Sequence, residues 1–174
     1  MNGGGAASQV AVRCVGAQYA ADAVSILREA AQWALCRGIE VWTLAELREQ
    51  DYVEGARLQQ LVMGFEQDQA VATMLLQPTD PLYWPEISAG TSLYLHKIAV
   101  RRAHAGRGWL ARLVHFAVED ARRRGIGWLR LDTLHRPPLR LLYERLGFAA
   151  VDEPPLTIRG RQMIRMERAL CRST

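Results

Sequence analysis

A short basic turn between a strand-like segment and a helix-like segment is the part of the sequence best suited to hold a ligand. The apolar run over residues 93–100 leads into a turn over residues 101–108, and a helix with an apolar stripe follows at once. Gly106 and Gly108 would let backbone N–H groups approach a ligand, and the helix start supplies unpaired donors and the positive end of its dipole. This arrangement predicts a site for a phosphate-bearing ligand, with added positive charge from Arg101, Arg102, Arg107 and Arg112.

A second motif downstream makes the pattern more specific. The turn reads Ala105-Gly106-Arg107-Gly108-Trp109-Leu110, and the later segment reads Tyr143-Glu144-Arg145-Leu146-Gly147-Phe148. In this order the two motifs resemble the GCN5-related N-acetyltransferase (GNAT) superfamily. Its signature is a strand, a loop Gln/Arg-x-x-Gly-x-Gly/Ala and a helix, then a second strand and a helix carrying a tyrosine before Gly-Phe. The strong motifs lie within residues 92–148, and the spacing of the other elements extends the resemblance from about residue 10 to 168.

The resemblance implies an acetyl-CoA-dependent N-acetyltransferase that acetylates a primary amine by direct attack in a ternary complex. The pantetheine arm of acetyl-CoA would pair with the backbone of Ile98, Ala99 and Val100. Tyr143 stands where the family has the tyrosine proposed to protonate the departing thiolate, and Arg136 where part of the family has an asparagine that contacts the cofactor. The turn would bind the pyrophosphate through Ala105, Gly106, Arg107, Gly108, Trp109, Leu110 and Ala111.

Two positions of the turn depart from the family pattern. Ala105 replaces a glutamine or arginine that could contact the pyrophosphate, and Leu110 replaces a glycine or alanine and adds bulk near the phosphates. These departures motivate an alternative function, a non-catalytic acyl-CoA-binding or regulatory module on the same fold. Tyr143 has an alternative too, as a core tyrosine whose hydroxyl bonds a buried carbonyl.

The general base is less constrained by the sequence than the cofactor site. The attacking amine must be neutral, and an imidazole titrates in the right range to remove its proton. His96 is the main candidate, and period-two alternation places it on the same strand face as Tyr94, Ile98 and Val100. A structural histidine bonded to a backbone group is an equally good interpretation. His135, near the start of a proline-initiated helix, is a third candidate.

The acceptor site is expected between the first two helices and the loop before the fourth strand. Five aromatic residues could line an apolar pocket there, namely Trp33, Trp42, Tyr52, Tyr83 and Trp84. Four acids could attract a cationic amine, namely Glu46, Glu49, Asp51 and Glu54. The alternatives are ordinary core packing for the tryptophans and a solvated helix face for the acids, so the sequence singles out no acceptor.

Length and charge narrow the class of protein. A chain of 174 residues, 49% of them hydrophobic, suits one globular domain over residues 9–174 after a flexible tail over residues 1–8. Residues 1–90 carry 5 basic and 11 acidic side chains, whereas residues 91–174 carry 17 basic and 7 acidic ones. A basic C-terminal half fits an anionic ligand such as coenzyme A.

Other partners are not expected from the composition. The basic half lacks the interleaved aromatic residues of a nucleic-acid stacking surface, and no apolar run is long enough to cross a bilayer. Cys14, Cys36 and Cys171 lack metal-ligand spacing, so no metal is expected, and they are typical of reduced thiols in a cytoplasmic protein. A homodimer through a final hairpin is compatible with the sequence but not required by it.

Hydrophobic periodicity predicts an α/β protein with a mixed sheet, that is, an α+β arrangement. Strands are expected over residues 10–15, 57–65, 70–77, 92–100, 128–133, 148–151 and 161–168, and helices over residues 20–37, 43–50, 108–124 and 138–146. This order favours a central, mostly antiparallel sheet with helices on both faces, the GNAT-type acyl-CoA N-acyltransferase fold, over a doubly wound parallel sheet.

Overall fold

A mostly antiparallel sheet forms the centre of the protein, in a computed structural model that describes residues 9–151 and 154–170 and contains eight strands within those ranges. The strands are β1 (Val10–Cys14), β2 (Leu61–Glu66), β3 (Gln69–Gln77), β4 (Ser92–Val100), β5 (Trp128–Leu134), β6 (Ala149–Ala150), β7 (Leu156–Ile158) and β8 (Arg161–Ala169). The helices are α1 (Ala20–Leu35), α2 (Glu49–Arg57), α3 (Trp109–Arg123) and α4 (Pro137–Glu144). The expected tail over residues 1–8 and Cys171 lie outside the described residues, and Cys14 and Cys36 are exposed free thiols.

The strand order is β1-β2-β3-β4-β5-β8-β6, with β7 paired to β8. Within the described residues every pairing is antiparallel except that of β4 with β5. The predicted mixed, mostly antiparallel sheet is therefore confirmed. A parallel pair needs a long crossover, and α3 supplies it between β4 and β5.

Two apolar cores lie on opposite faces of the sheet. One packs α3 and part of α4 against β3, β4 and β5, through residues such as Leu93, Leu113, Leu129 and Leu131. The other packs α1 and α2 against β2 and β3, through residues such as Leu27, Tyr52, Leu61 and Met63. Helices on both faces follow from the strand pattern, because β2 and β3 are apolar on both sides.

The start of α3 is fixed by packing against the sheet. Trp109, the first helical residue, is buried over β2 at Gly64, where a Cβ would lie 2.7 Å from the indole ring. Leu113, Val114 and Ala117 continue the same buried stripe along the helix. The turn that precedes Trp109 is thereby held at one end of the sheet.

The helix predicted over residues 43–50 is wrong. Thr43 and Glu46 form a capping box, with the Thr43 amide donating to Glu46 Oε2 at 2.7 Å. However, the box opens only a single 3₁₀ turn, because Leu47 leaves the helical conformation and buries its side chain completely. The α-helix begins only at Glu49 and continues to Arg57.

Two other boundaries differ from the sequence prediction. The strand expected from residue 57 begins at Leu61, because Arg57 ends α2 and Gln59 adopts a positive φ of 56° in the connection. The two strands predicted over residues 148–151 and 161–168 are β6 and β8, and they pair with each other. The sequence analysis missed β7, which forms a tight hairpin with β8 around Arg159 and Gly160.

Candidate active site

The parallel strands β4 and β5 separate halfway along their length. They pair from Ser92 opposite Trp128 as far as Leu95 opposite Leu131. Beyond that point β4 continues to Val100 and β5 to Leu134 without pairing to each other. A cavity of about 520 Å³ lies at this split and is bordered by residues of both strands, α1, α4, β7 and the loop before β4.

A β-bulge in β4 contributes to this geometry. Thr73 of β3 lies opposite Ala99, whereas Leu75 lies opposite His96, so β4 contains one extra residue. Lys97 adopts a positive φ of 51° at this point. A bulge of this kind bends the strand and shifts the alternation of its side chains.

The predicted face of His96 is therefore wrong. His96 does stack on Tyr94, with ring centroids 6.5 Å apart, as alternation requires. Ile98 and Val100, however, pack against the core on the α3 side together with Leu93 and Leu95. The extra residue at Lys97 places Ile98 and Val100 on the face opposite His96. The side chains of His96, Ile98 and Val100 nevertheless all border the cavity.

The turn before α3 exposes backbone amides. Gly106 and Gly108 adopt φ values of 76° and 79°, a region that favours glycine, and a Cβ on either would meet no protein atom within 4 Å. The Arg112 amide is bonded to Gly108 O, so helix geometry leaves the preceding amides of Trp109, Leu110 and Ala111 without intrahelical acceptors. Gly106 and Gly108 are exposed, so the turn presents N–H donors that suit an anion.

Several side chains of this turn are engaged with the protein. Arg101 reaches α1, where it pairs with Glu29 at 3.0 Å, and the Arg102 amide donates to the same carboxylate at 2.6 Å. Arg101 therefore anchors the turn, which differs from its expected contribution to a phosphate site. His104, which is half-buried, lies 3.1 Å from Glu66.

The structure explains how Leu110, one of the two departures from the family pattern, is accommodated. Its side chain is half-buried and packs against the core on the α3 side. Its extra bulk is therefore accommodated by the protein interior. Ala105 simply follows a 3₁₀ turn, with its amide donating to Arg102 O.

Arg136 and His135 lie outside the main cavity. Both are exposed at the start of α4, beside a shallower depression that Glu40 and Arg161 also line. His135 donates through its backbone to Gln162 O. The structure does not bring its imidazole to the cavity that contains His96.

Tyr143 borders the cavity from α4. The helix begins with Pro137 and Pro138, which are pre-organised for a first turn, and its tyrosine ring makes an edge contact with Phe148 at 6.1 Å. Burial, with a smaller contribution from Asp132, raises the pKa of Tyr143 well above its usual value. The phenol is consequently a protonated hydrogen-bond donor at neutral pH.

Two carboxylates that the sequence analysis missed flank His96. Asp132 Oδ1 lies 3.5 Å from Nδ1, and Asp80 Oδ2 lies 3.6 Å from Nε2. Asp80 Oδ1 accepts hydrogen bonds from the amides of Leu82 and Tyr83, at 3.2 and 3.1 Å. Burial raises the pKa of Asp80, although His96 and these amides oppose that shift.

The available sequence signal for these carboxylates was weak. Asp132 is a charged residue inside a strand between buried neighbours, and this pattern alone could have drawn attention to it. Asp80 lies in the long proline-containing loop before β4, where an aspartate is ordinary turn chemistry.

The same three residues are the described group best placed to hold a cation. One ligand atom from each of Asp80, His96 and Asp132 can be chosen within 4.8 Å of the others. The two carboxylates, however, face opposite nitrogens of the imidazole, and a single cation binds only one of those nitrogens.

Most of the expected acceptor-site aromatics line the cavity. Trp33, Trp42, Tyr52 and Tyr83 do so. Trp84 does not line the cavity; it is buried, and the guanidinium groups of Arg130 and Arg165 lie 5.0 and 4.6 Å from its ring.

The expected acids are divided in the structure. Glu46 and Asp51 line the cavity, whereas Glu49 and Glu54 do not. Glu46 is bound by Arg161 at 3.1 Å, and Asp51 by Arg48 at 2.7 Å. Burial would raise the pKa of Glu46, but hydrogen bonds from Thr43 and Arg161 outweigh it and lower the pKa to about 2.

Among the described residues, no helix combines the length and apolar character needed to cross a membrane.

The chain matches the model of the Acetyltransferase (GNAT) family over residues 27–148. None of the curated proteins gives a significant match. Among solved structures, it is similar to a GNAT-family acetyltransferase from Listeria monocytogenes, with 19% identity, a TM-score of 0.76 and coverage of 98% of this chain and 99% of that one.

Two further similar structures contain the cofactor or its product. The putative acetyltransferase yncA from Salmonella typhimurium, with its cofactor acetyl-CoA, has 15% identity and a TM-score of 0.72, with 96% of this chain and 97% of that chain covered. The paia N-acetyltransferase from Thermoplasma acidophilum, in complex with coenzyme A, has 15% identity and a TM-score of 0.72, with 92% and 99% covered. At these identities the likeness establishes the fold, which is the predicted one. Because the family model spans well over half of the chain, the protein belongs to the GNAT family of acetyltransferases, which use acetyl-CoA as co-substrate.

Proposed function

We propose that the protein is an acetyl-CoA-dependent N-acetyltransferase that transfers the acetyl group to a primary amine by direct attack in a ternary complex. The observation that carries this proposal is the single cavity at the split between β4 and β5. Its lining includes the edge of β4 that is not paired with β5, the side chains of Tyr143 and His96, and four of the aromatic residues expected at the acceptor site.

The cofactor is assigned to the split and to the turn before α3. The β5-facing edge of Ile98, Ala99 and Val100 lacks a strand partner in the described residues, so an extended pantetheine arm could add to it as a strand does. The pyrophosphate is assigned to residues 105–111, where positive-φ glycines and the amides opening α3 form a concave anion site. Side-chain bulk at Leu110 is no obstacle, since it packs against the core.

Arg136 is a weaker part of the assignment. Its exposed position at the start of α4 leaves it free to reach a phosphate only along the surface. We keep it as a cofactor contact that acts through charge, and not as the equivalent of the family's asparagine.

The chemistry is assigned to His96 and Tyr143. Acetyl-CoA supplies a thioester carbonyl that an unprotonated amine can attack. His96 takes the proton that makes the amine a nucleophile, and Tyr143 donates a hydrogen bond to the sulfur as negative charge develops there. Burial, which raises the pKa of Tyr143, keeps the phenol as a hydrogen-bond donor, and this donor stabilises the negative charge that develops on the sulfur.

The experiment is a thiol-release assay with acetyl-CoA and a panel of primary amines, with mass spectrometry of the products. We expect amine-dependent release of coenzyme A and an N-acetyl product. Binding of acetyl-CoA without turnover of any amine would contradict the enzyme assignment and support the alternative of a non-catalytic acyl-CoA-binding module.

A further inference from the structure

The imidazole of His96 lies between two carboxylates, one facing each ring nitrogen. Nδ1 is 3.5 Å from Asp132 Oδ1, and Nε2 is 3.6 Å from Asp80 Oδ2. A neutral imidazole has one N–H and can donate to only one of them. The other nitrogen then presents a lone pair to a negative oxygen, so one of the two gaps is a place for a positively charged group.

The gap on the Asp80 side is the better place for that charge. Asp80 Oδ2 and His96 Nε2 have no hydrogen-bond partner among the described residues, although the Asp80 side chain is only 5% exposed. A buried carboxylate oxygen left in this state is costly. At a separation of 3.6 Å, one nitrogen atom can lie within hydrogen-bond distance of both atoms.

The segments that contain Asp132 and Asp80 hold these two carboxylates in different ways. Asp132 belongs to β5, whose backbone is paired with β8 through Arg165 at this position. Asp80 is held in its loop only through Oδ1, which leaves Oδ2 without a partner among the described residues, and Asp80, His96 and Asp132 all border the cavity. Asp132 thus has the position of an orienting group, and Asp80 that of a ligand-binding group.

We propose that Asp80 Oδ2 and His96 Nε2 together bind the ammonium group of the acceptor, and that Asp132 positions His96 by accepting the Nδ1–H hydrogen bond. This inference rests on the proposed function and deepens it by naming the substrate class, a primary amine that is cationic at neutral pH. Asp80 and His96 are catalytic residues in this account, and Asp132 is a positioning residue.

The proton balance is complete without any further reactant. His96 Nε2 takes the first proton of the ammonium group and later releases it to solvent. The amine nitrogen forms the C–N bond, the C–S bond breaks, and the second amine proton leaves to solvent. Tyr143 stabilises the departing thiolate through a hydrogen bond, and the thiolate takes up one proton from solvent, so that one net proton is released per turnover.

The surrounding charges are compatible with a cationic acceptor. Arg161 and Arg159, which border the cavity, both approach Glu46, at 3.1 and 3.8 Å. Lys97, whose pKa is lowered by burial, lies over the Trp42 ring at 5.4 Å. Arg102, which also borders the cavity, lies over the Trp33 ring at 3.7 Å. These side chains therefore have partners other than Asp80, and Tyr83 adds an aromatic wall near Asp80 and Asp132.

The test compares pairs of acceptors that are similar in size but differ in charge. One pair is benzylamine, which is protonated at neutral pH, and aniline, which is not. The thiol-release assay is run with this pair and with other such pairs from the amine panel. We expect Asp80→Asn to lower kcat/KM for the cationic member by about 10–100-fold, mainly through KM, and to change that for the neutral member by less than about 3-fold. Asp132→Asn should lower kcat by about 10-fold or more with little change in KM.

Controls separate this inference from folding and from the proposed function. Asp22→Asn, at an exposed carboxylate in the first turn of α1, should leave both amines unaffected, and all variants should keep their acetyl-CoA affinity. Equal losses for the cationic and neutral amines would overturn the inference while leaving the acetyltransferase assignment standing. Failure of every amine in the wild type would overturn both. Loss of activity on treatment with a chelator, restored by zinc, would replace the ammonium site with a metal site.

A spectroscopic test addresses Asp132 without any acceptor. In protein labelled with ¹⁵N at its 4 histidines, His96 is identified by the signal that His96→Gln removes. In spectra of the neutral imidazole, we expect the Nδ1–H tautomer in the wild type and loss of that preference in Asp132→Asn. An Nε2–H tautomer in the wild type would overturn the assignment of Asp132.

Discussion

At the scale of single residues, the proposed chemistry depends on Tyr143 and the proposed anion site on Gly108. Tyr143 borders the cavity, with its ring against Phe148 and its pKa raised by burial. Phenylalanine can occupy the same space, so Tyr143→Phe isolates the hydroxyl. We expect kcat to fall by about 100-fold, as for the loss of a general acid, with acetyl-CoA affinity within about 3-fold of the wild type.

A matched variant controls for the removal of a phenol. Tyr19 packs edge-on against Phe65 and accepts a hydrogen bond from Arg13, on residues that do not line the cavity. Tyr19→Phe should therefore retain wild-type turnover. Equal kcat values for Tyr143→Phe and the wild type would show that Tyr143 is a packing residue.

Gly108 tests the anion site at the turn. A Cβ at this position meets no protein atom within 4 Å, so it would occupy open space, where the proposal places the pyrophosphate. Because its φ is 79°, any replacement also costs about 1–2 kcal/mol of stability, and a β-branched valine more. Alanine is consequently the better probe. We expect Gly108→Ala to weaken acetyl-CoA binding by about 10-fold or more, measured by fluorescence competition.

Gly125, just after α3, supplies the control for backbone strain. It has a similar φ of 68°, and a Cβ there also meets nothing within 4 Å. Gly125→Ala should lose similar stability in urea unfolding but keep its acetyl-CoA affinity. Equal affinities in the two alanine variants would place the pyrophosphate elsewhere.

At the scale of elements, Glu46 joins the single 3₁₀ turn after α1 to β8. It caps that turn through Thr43 and binds Arg161 at the start of β8. Its pKa falls from 4.5 to about 2 on folding, so the stabilisation is present above pH 4.5 and is lost as the pH falls through 2. We expect Glu46→Gln to lower the free energy of unfolding by on the order of 2–3 kcal/mol at neutral pH.

The pH dependence distinguishes this contribution from a general loss of packing. The difference in unfolding free energy between Glu46→Gln and the wild type should shrink below pH 4.5 and approach zero near pH 2. Glu54→Gln, at an exposed carboxylate of α2, should stay within about 0.5 kcal/mol of the wild type throughout. A difference for Glu46→Gln that does not depend on pH would refute the linkage.

Elements with a strong local pattern could be predicted from the sequence. The apolar stripe of α3 and the run that forms β4 each gave correct boundaries to within one residue, because burial on one face fixes both. The helix expected from Thr43 failed because local capping chemistry was correct but the burial of Leu47 ended the turn. Tertiary contacts decided that case, and the sequence contains no local sign of them.

The candidate site was only partly predictable for the same reason. The glycine turn and Tyr143 belong to motifs with fixed spacing, whereas Asp80, His96 and Asp132 come from three separate segments. One extra residue at the β4 bulge reversed the face of Ile98 and Val100 relative to His96. Period-two alternation contains no information about such a bulge, and only the pairing with β3 reveals it.

At the scale of the whole molecule, the proposed ligand site lies at the split between β4 and β5, in the sheet that separates the two apolar cores. One core packs α1 and α2 against the first strands, and the other packs α3 and α4 against β4 and β5. The basic excess lies in residues 91–174, the segment that contains the proposed cofactor turn, whereas acids outnumber bases in residues 1–90, the segment that forms α1 and α2. This asymmetry suits an anionic cofactor and a cationic acceptor entering from different sides of one cavity.

The central claim is that this cavity and the turn before α3 bind acetyl-CoA. Calorimetric titration of the wild-type protein with acetyl-CoA tests it most directly, with desulfo-CoA and ATP as controls. The account predicts micromolar binding of one molecule per chain that is retained by desulfo-CoA and much weaker for ATP, because the pantetheine arm contributes at the strand split. Absence of acetyl-CoA binding, or equal binding of ATP, would contradict it.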